Sequence, residues 1–188
     1  MPIPSPLWAV WISCWGMSTV NRMTFSPALE ARFAKLLTIY PTGRQRSAVV
    51  PMLLYAQDEV GCVNQEVVEE VARRCGVTPL QVDEVIGYYS MLHRKPLGKF
   101  HVQVCTNIAC QAVGADGLWE HACKSLQLKN KEVAADGLIS LEEVECMGAC
   151  SWAPAIQINY DFHHFVTNGD FDKLVSSLRD GSYGKRAS

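Results

Sequence analysis

The sequence lacks a clear excess of charge of either sign. Its 188 residues include 17 basic and 19 acidic side chains, for a formal net charge of -2. Broad electrostatic attraction to nucleic acid or to an anionic membrane requires a concentration of basic charge. We therefore expect neither kind of partner.

Nucleotide-binding motifs are also missing. The sequence contains neither G-x-G-x-x-G nor G-x-x-x-x-G-K-[ST], the glycine-rich turns that hold the phosphates of dinucleotides and nucleotides. A nucleotide site on this protein is therefore not expected.

Targeting signals and long apolar runs are absent as well. No basic region leads into an A-x-A-like cleavage site, and the apolar stretch from Leu7 to Trp15 is too short to span a membrane. We expect residues 1–22 to be a disordered extension without an assigned function. Since a chain that is 48% hydrophobic can bury a real core, its cysteines are expected to be reduced rather than paired in disulfides.

Four of the eight cysteines form two closely spaced pairs. Cys105 and Cys110 have four residues between them, Cys146 and Cys150 have three, and 35 residues separate the two pairs. If each pair lies on a loop, four thiolates can meet at one point, which suits a tetrahedral zinc ion or an iron–sulfur cluster. The spacing thus predicts a metal site and leaves two kinds of metal open.

The N-terminal half has helical periodicity and helix-capping residues. Ser26 and Pro27 predict an N-cap and a first helical residue. A second helical segment, from about residue 44 to 59, has Pro51 near its middle, where we expect a kink. Asn64 and Thr78 predict the caps of two further helices.

The region that carries the cysteines has a different pattern. Phe100, Val102 and Val104 alternate with polar residues, which predicts a strand leading into Cys105. A helix and a second extended stretch, which reaches Cys146, are expected to follow.

A hairpin and a last helix are predicted near the C-terminus. The hairpin turn would begin at Asp161, with Phe165 and Val166 on the returning strand, and Thr167 and Asp170 would form a capping box. The predicted fold class is therefore α+β, with a helical bundle over residues 23–95, an α/β domain over 96–182 and a tail over 183–188.

The surroundings of the cysteines favour an iron–sulfur cluster over zinc. Ile108 and Ala109 lie between the first pair, and Met147, Gly148 and Ala149 lie between the second. Small residues let backbone N–H groups approach sulfur, and apolar neighbours limit the access of water. A structural zinc module remains the alternative, and a redox-active dithiol is less favoured because neither pair has C-x-x-C spacing.

Two groups of residues form a recognisable pattern. In the helical half, they are Tyr40, Pro41, Gly43, Arg44, Ser47, Ala48, Pro51, Gln57 and Gly61. In the cysteine half, they are Gly98, Cys105, Thr106, Asn107, Cys110, Asp136, Gly137, Glu145, Cys146, Gly148, Cys150, Ala153 and Pro154. Over roughly residues 25 to 180, this pattern resembles the 24 kDa subunit family of NADH:quinone oxidoreductase, respiratory complex I. The sequence departs from that family at Met147 and Ala155, where leucine and methionine are more usual.

The resemblance implies a thioredoxin-like ferredoxin domain in which Cys105, Cys110, Cys146 and Cys150 hold one 2Fe–2S cluster. It also implies an electron-transfer subunit of NADH dehydrogenase, whose FMN and NAD bind a separate FMN- and NADH-binding partner subunit. With the other subunits, the protein would lie peripherally on the cytoplasmic side of the bacterial inner membrane, without inserting into it. Similar subunits of NAD-linked formate dehydrogenases and NAD-reducing hydrogenases are alternatives.

The remaining cysteines and the paired histidines have simpler interpretations. Cys62, Cys75 and Cys123 lack paired spacing and are interpreted as buried or unused thiols. His163 and His164 would point to opposite faces of a strand, so both are interpreted as structural.

A helix-turn-helix DNA reader is a rival over residues 64–90, where small and apolar residues have suitable spacing. Its second helix would present Asp83 and Glu84, and carboxylates repel phosphate. This class is therefore less favoured.

Overall fold

The computed structural model describes residues 23–184, which divide into two compact units between Leu92 and His93. The first unit is helical and the second contains helices and a sheet, which confirms the predicted fold class. The extension expected over residues 1–22 lies outside the described residues, as do residues 185–188 of the expected tail.

The first unit contains four α-helices and a short 3-10 helix, Gln45–Ala48. The α-helices are α1 (Pro27–Ile39), α2 (Val49–Val60), α3 (Gln65–Cys75) and α4 (Pro79–Tyr88). Their apolar faces meet in a core that includes Phe33, Met52, Leu53 and Val71, each with no exposed surface. Burial of these faces holds the bundle together.

The predicted helix caps are confirmed. The side chain of Ser26 accepts a hydrogen bond from the Leu29 amide, and that of Asn64 accepts one from Val67. Thr78 and Gln81 form a reciprocal capping box at the start of α4. Each cap satisfies an amide that has no partner within its helix.

The kink expected at Pro51 was predicted from the wrong helix boundary. Residues Gln45–Ala48 form the 3-10 helix, and α2 begins only at Val49. Pro51 therefore lies in the first turn of α2, where the missing proline N–H has no intrahelical acceptor to lose.

A buried carboxylate is held by two arginines in the first unit. Glu70, 5% exposed, accepts hydrogen bonds from Arg73 at 2.9 Å and from Arg74 at 2.7 Å. Arg74 also bonds Glu30 on α1 at 2.6 Å. Hydrogen bonds from Arg73 and then from Arg74 lower the pKa of Glu70 below its ordinary value, and the hydrogen bond from Arg74 lowers the pKa of Glu30. The network ties α3 to α1.

The second unit is built on a five-stranded mixed sheet. Its strands are β1 (Phe100–Cys105), β2 (Glu132–Val133), β3 (Ile139–Val144), β4 (Ile156–Ile158) and β5 (Asp161–His163). Its helices are α5 (Ile108–Gln111), α6 (Ala115–Leu126) and α7 (Asn168–Asp180), with a 3-10 helix at Cys150–Trp152. The strand order is β2-β3-β1-β4-β5, in which β1 and β3 are parallel and the other neighbours are antiparallel.

The two faces of this sheet differ in character. Val102 and Val104 of β1 lie in an apolar core with Leu118 of α6 and Phe171 of α7. Because side chains alternate along a strand, His101 and Gln103 belong to the opposite face, together with Cys105. The predicted alternation of β1 is confirmed, and it puts the first cysteine on the polar face.

The predicted hairpin is present, but its turn and returning strand were misplaced. Ile158 pairs with Asp161, so the turn consists of the two residues between them, and β5 ends at His163. Asn159 has a φ of 54°, in the left-handed region that asparagine tolerates in tight hairpin turns. Phe165 and Val166 follow the strand, and the predicted capping box of Thr167 and Asp170 starts α7.

Within residues 23–184, no helix combines the length and the apolar character needed to cross a membrane.

Replacing Glu70 with alanine is expected to lower the free energy of unfolding by about 2 kcal/mol at pH 7, because it leaves Arg74 and Arg73 without their buried acceptor. Urea unfolding followed by far-ultraviolet circular dichroism measures this. The difference from wild type should be complete above pH 4.5, the ordinary value for a glutamate, and should disappear as the pH falls through the lower pKa of the folded state. The control is Glu120→Ala, which removes an exposed partner of Lys124 and should change little. An equal effect of the two substitutions would contradict the assignment.

Candidate metal centre

The paired cysteines lie at one end of the parallel strand pair. Cys105 is the last residue of β1, and Cys146 follows the end of β3 by two residues. The register places Cys105 opposite Val144. Because parallel strands end at the same edge of a sheet, both strands leave the sheet at the same place. Cys110 lies in the short helix α5, and Cys150 begins the 3-10 helix that follows Cys146.

The four thiols influence one another within and between the pairs. Burial is the largest cause that raises the pKa of Cys110, and a hydrogen bond with Cys105 and the charge of Cys150 add to it. For Cys150, a hydrogen bond with Cys146 raises the pKa first, and the charge of Cys105 contributes. The thiols of the two pairs are therefore close enough for their charges to interact. Negative charge on one sulfur opposes deprotonation of the next, which is the situation that a bound metal ion relieves.

One backbone amide approaches a sulfur atom in the second pair. The amide of Gly148 donates to Cys146 Sγ at 3.4 Å. Gly148 has a φ of 78°, a conformation that residues with a Cβ rarely adopt. The glycine therefore allows the backbone to turn its N–H group toward the sulfur, a contact that stabilises thiolate charge.

The two pairs differ in exposure. Cys105 and Cys110 are 2% and 1% exposed, whereas Cys146 and Cys150 are exposed. Ala115 is buried with the first pair, and Val144, Met147 and Ala153 pack against it. The candidate centre thus has one side in an apolar interior and one side at the surface.

Large apolar side chains are exposed beside the cysteines. Ile108, between the first pair, is 78% exposed, and Trp152, two residues after Cys150, is 50% exposed. The Trp152 ring stacks on His164 with 4.9 Å between the ring centroids. Exposed apolar side chains of this size beside the candidate centre are suited to contact with another protein.

The other described cysteines lie elsewhere. Cys62 and Cys75 are buried in the helical unit, where Cys75 Sγ is 3.4 Å from Met52 Sδ, and Cys123 is half-buried on α6. Burial raises the pKa of Cys75 to about 11, and burial also raises the pKa of Cys123. These are the properties of unreactive thiols, in agreement with the sequence interpretation.

The paired histidines contact different groups. His163 Nε2 lies 2.8 Å from the Tyr183 hydroxyl, whereas His164 stacks on Trp152. Both contacts suit the structural interpretation.

A buried polar cluster that the sequence patterns did not predict lies beside strands β1 and β3. The ligand atoms of His93, His101 and Glu142 lie within 4.8 Å of one another. His101 and Glu142 are 9% and 3% exposed. The polar residues of β1 indicated only a strand, and the matching polar alternation on β3, at Ser140 and Glu142, could have signalled a shared buried network.

Comparison with known proteins identifies relatives over most of the sequence. The family model described as thioredoxin-like [2Fe-2S] ferredoxin matches residues 33–179. NADH-quinone oxidoreductase subunit 2 of Thermus thermophilus is 40% identical over 154 residues, which cover 81% of this chain and 83% of that protein. A subunit of the NADH-quinone oxidoreductase of Rhizobium meliloti is 37% identical over 157 residues, covering 84% and 90%.

A solved structure shares the fold. The match is to an NAD+-reducing [NiFe]-hydrogenase in the air-oxidized state, with a TM-score of 0.63 and 17% sequence identity. It covers 75% of this chain but only 24% of the hydrogenase chain, so the similarity concerns the fold of one part of that protein.

Alkylation of the metal-free protein should modify the exposed pair first. We expect Cys146 and Cys150 to react with iodoacetamide before Cys105 and Cys110, because the outer pair is exposed and burial protects the inner one. Mass mapping after short anaerobic exposure distinguishes the sites, and Cys75 serves as the internal standard for a protected thiol. Equal labelling of both pairs, with Cys75 still protected, would contradict the described burial.

Proposed function

Because this chain belongs to the thioredoxin-like [2Fe-2S] ferredoxin family, we propose that it is the electron-transfer subunit of an NADH-quinone oxidoreductase, with one 2Fe–2S cluster held by Cys105, Cys110, Cys146 and Cys150. The observation that carries the proposal is the delivery of both cysteine pairs to one edge of the sheet by the parallel strands β1 and β3. Relatives at 37–40% identity are subunits of that oxidoreductase complex.

The donor set fits the cluster. Four thiolates are the usual ligands of a 2Fe–2S cluster, and Cys105, Cys110, Cys146 and Cys150 would supply them. When bound, the cluster accepts and returns one electron.

The protein residues control the surroundings of that charge. The apolar side chains around Cys105 and Cys110 limit water on the inner side, and the Gly148 amide donates to the sulfur of Cys146. Neither ligand segment contains a lysine or an arginine. Since an added electron increases the negative charge on four thiolates, ligand segments without a lysine or an arginine favour a low reduction potential.

The substrate site belongs to a partner in this proposal. The sequence has no phosphate-binding glycine motif, so NADH and FMN would bind a separate FMN- and NADH-binding subunit. The exposed Ile108 and Trp152 beside the cysteines supply a contact surface for such a partner. The protein would then lie on the cytoplasmic side of the membrane through its complex.

The same subunit of an NAD-reducing hydrogenase is the second candidate. The fold that this chain shares with part of an NAD+-reducing [NiFe]-hydrogenase favours this candidate. The equivalent subunit of an NAD-linked formate dehydrogenase is an alternative of the same kind. Co-purification of the protein with its native partners would distinguish these three complexes.

Anaerobically purified protein is expected to contain about two iron and two sulfide ions per chain and to develop a rhombic EPR signal on reduction with dithionite. Cys105→Ser and Cys146→Ser should each greatly reduce the cluster content, because each removes a thiolate ligand. Cys123→Ser is the matched control, since Cys123 lies in the same unit outside the two pairs, and it should keep the cluster. About one zinc ion per chain, with no visible absorption after anaerobic reconstitution with iron and sulfide, would instead support a structural zinc module.

A further inference from the structure

A buried network of polar side chains crosses the parallel strand pair. His101 Nδ1 lies 2.9 Å from Ser140 Oγ, and His101 Nε2 lies 2.9 Å from Glu142 Oε2. Gln103 donates its side-chain N–H to the same Glu142 oxygen at 3.1 Å. His101, Ser140 and Glu142 are all at least nine-tenths buried, at 9%, 1% and 3% exposure.

We propose that this network positions the cysteine ligands by fixing the register of β1 against β3. The inference rests on the proposed function, since it concerns the ligands of the same cluster. His101 and Glu142 are positioning residues. His101 lies on β1 four residues before Cys105, and Glu142 lies on β3 four residues before Cys146. They act on the centre through the strands.

The apolar pattern of the strands does not select the register by itself. In the observed pairing, Val102 lies opposite Leu141 and His101 lies opposite Ser140. A slip of two residues, about 6.6 Å, would still put Val102 opposite an apolar residue, Ile139. It would also put His101 opposite Leu138 and Cys105 opposite Glu142, displacing Cys105 along the sheet relative to Cys146.

The polar network distinguishes these registers because its members are buried. In the slipped register, Ser140 would stand in the diagonal position that Glu142 now holds relative to His101, and Glu142 would lie two residues farther away. The contact between His101 and Glu142 would be lost where water cannot replace it, so the cost of burying the carboxylate would not be offset. In the observed register, burial is the largest single influence on the pKa of Glu142 and raises it, but the hydrogen bonds from His101 and Gln103 help to bring the pKa below its ordinary value. The carboxylate is therefore held in its charged form, with Lys131 Nζ 3.7 Å from its other oxygen.

The backbone of His101 adds a second restraint. Its N–H donates to Asn159 Oδ1, and its carbonyl oxygen accepts from the Asn159 amide, each at 2.9 Å. Asn159 lies in the turn between β4 and β5. The same residue thus joins β1 to its neighbours on both sides.

A metal ion is the competing explanation for the cluster of His93, His101 and Glu142. The His93 ring lies edge-on to that of His101, with 5.3 Å between centroids. Glu142 is already hydrogen-bonded to His101 and Gln103, and Lys131 Nζ lies 3.7 Å away. A cation would have to replace the hydrogen bond between His101 and Glu142 and would be repelled by the lysine charge. The contacts therefore favour a hydrogen-bonded network that fixes the strand register over a metal site.

The central test compares Glu142→Leu with Glu142→Gln in the whole protein purified with its cluster. Leucine leaves His101 and Gln103 without an acceptor, whereas glutamine keeps a side-chain oxygen in nearly the same place. For Glu142→Leu we expect altered EPR g-values and a cluster half-life in the presence of an iron chelator about tenfold shorter than in wild type, as for sites with a lost supporting hydrogen bond. Glu142→Gln should restore most of both properties.

Two controls separate positioning from general loss of stability. Asp172→Leu removes a carboxylate from a different histidine in this unit, since Asp172 Oδ1 lies 2.8 Å from His121 Nε2. Leu178→Ala opens the apolar core on α7, which lies on the opposite face of the sheet from the polar network. Both are expected to keep the wild-type EPR spectrum, even where the melting temperature falls. If Glu142→Leu also keeps the wild-type spectrum and cluster half-life, the network is merely structural and the proposal is wrong.

Hydrogen exchange tests the register without depending on the cluster. The amide of Thr106 donates to the Val144 carbonyl oxygen at 3.2 Å in the observed register. In metal-free protein, its exchange should be about tenfold faster in Glu142→Leu than in Leu178→Ala. Ser140→Ala is a smaller change and should also speed the exchange of the Thr106 amide. It replaces Glu142→Leu in this test if that variant does not fold.

The outcomes distinguish the two proposals. A wild-type protein that binds no iron–sulfur cluster overturns the proposed function, while the exchange measurement still tests the register. Unchanged Thr106 exchange in both Glu142→Leu and Ser140→Ala overturns the register proposal. Stoichiometric zinc in the cluster-loaded wild type that is lost in His93→Ala would also overturn it, in favour of a metal site.

Discussion

The parallel pairing of β1 with β3 is the constraint on which the candidate centre depends. Two cysteine pairs separated by 35 residues can share a metal centre only if the fold returns the backbone to the same place. The β1–α6–β3 crossover does this, because α6 packs on one face of the sheet and brings β3 back parallel to β1. Both strands then end at one edge, and each continues directly into a cysteine pair.

The two sides of the sheet make different contributions to that geometry. On one side, Val102, Leu141 and Phe171 form an apolar core that supplies most of the stabilising burial. On the other, His101 and Glu142 form a polar network that is satisfied in a specific pairing of the strands. Apolar contacts tolerate small changes of partner, whereas buried hydrogen bonds do not. Stability and positional accuracy thus have separate sources within a single sheet.

The cysteine pairs occupy unlike surroundings, which suits a centre that exchanges charge with a partner. Cys105 and Cys110 are buried among small apolar residues, while Cys146 and Cys150 lie at the surface near the exposed Trp152. The inner surroundings limit solvent, and the exposed side permits close approach by another protein. In the helical unit, by contrast, the negative charge of the buried Glu70 is paired with Arg73 and Arg74 of the same helix.

The sequence by itself determined the helix caps, the strand that leads into Cys105 and the two cysteine pairs, because each depends on neighbours a few residues apart. Local patterns failed at Pro51, where the helix began later than its periodicity suggested, and at the β4–β5 hairpin, where Asn159 rather than Asp161 accommodated the turn. The tertiary structure alone decided that the polar face of β1 is buried. Whether His101 meets water or Glu142 depends on a strand about forty residues away, and no local pattern contains the free energy of that contact.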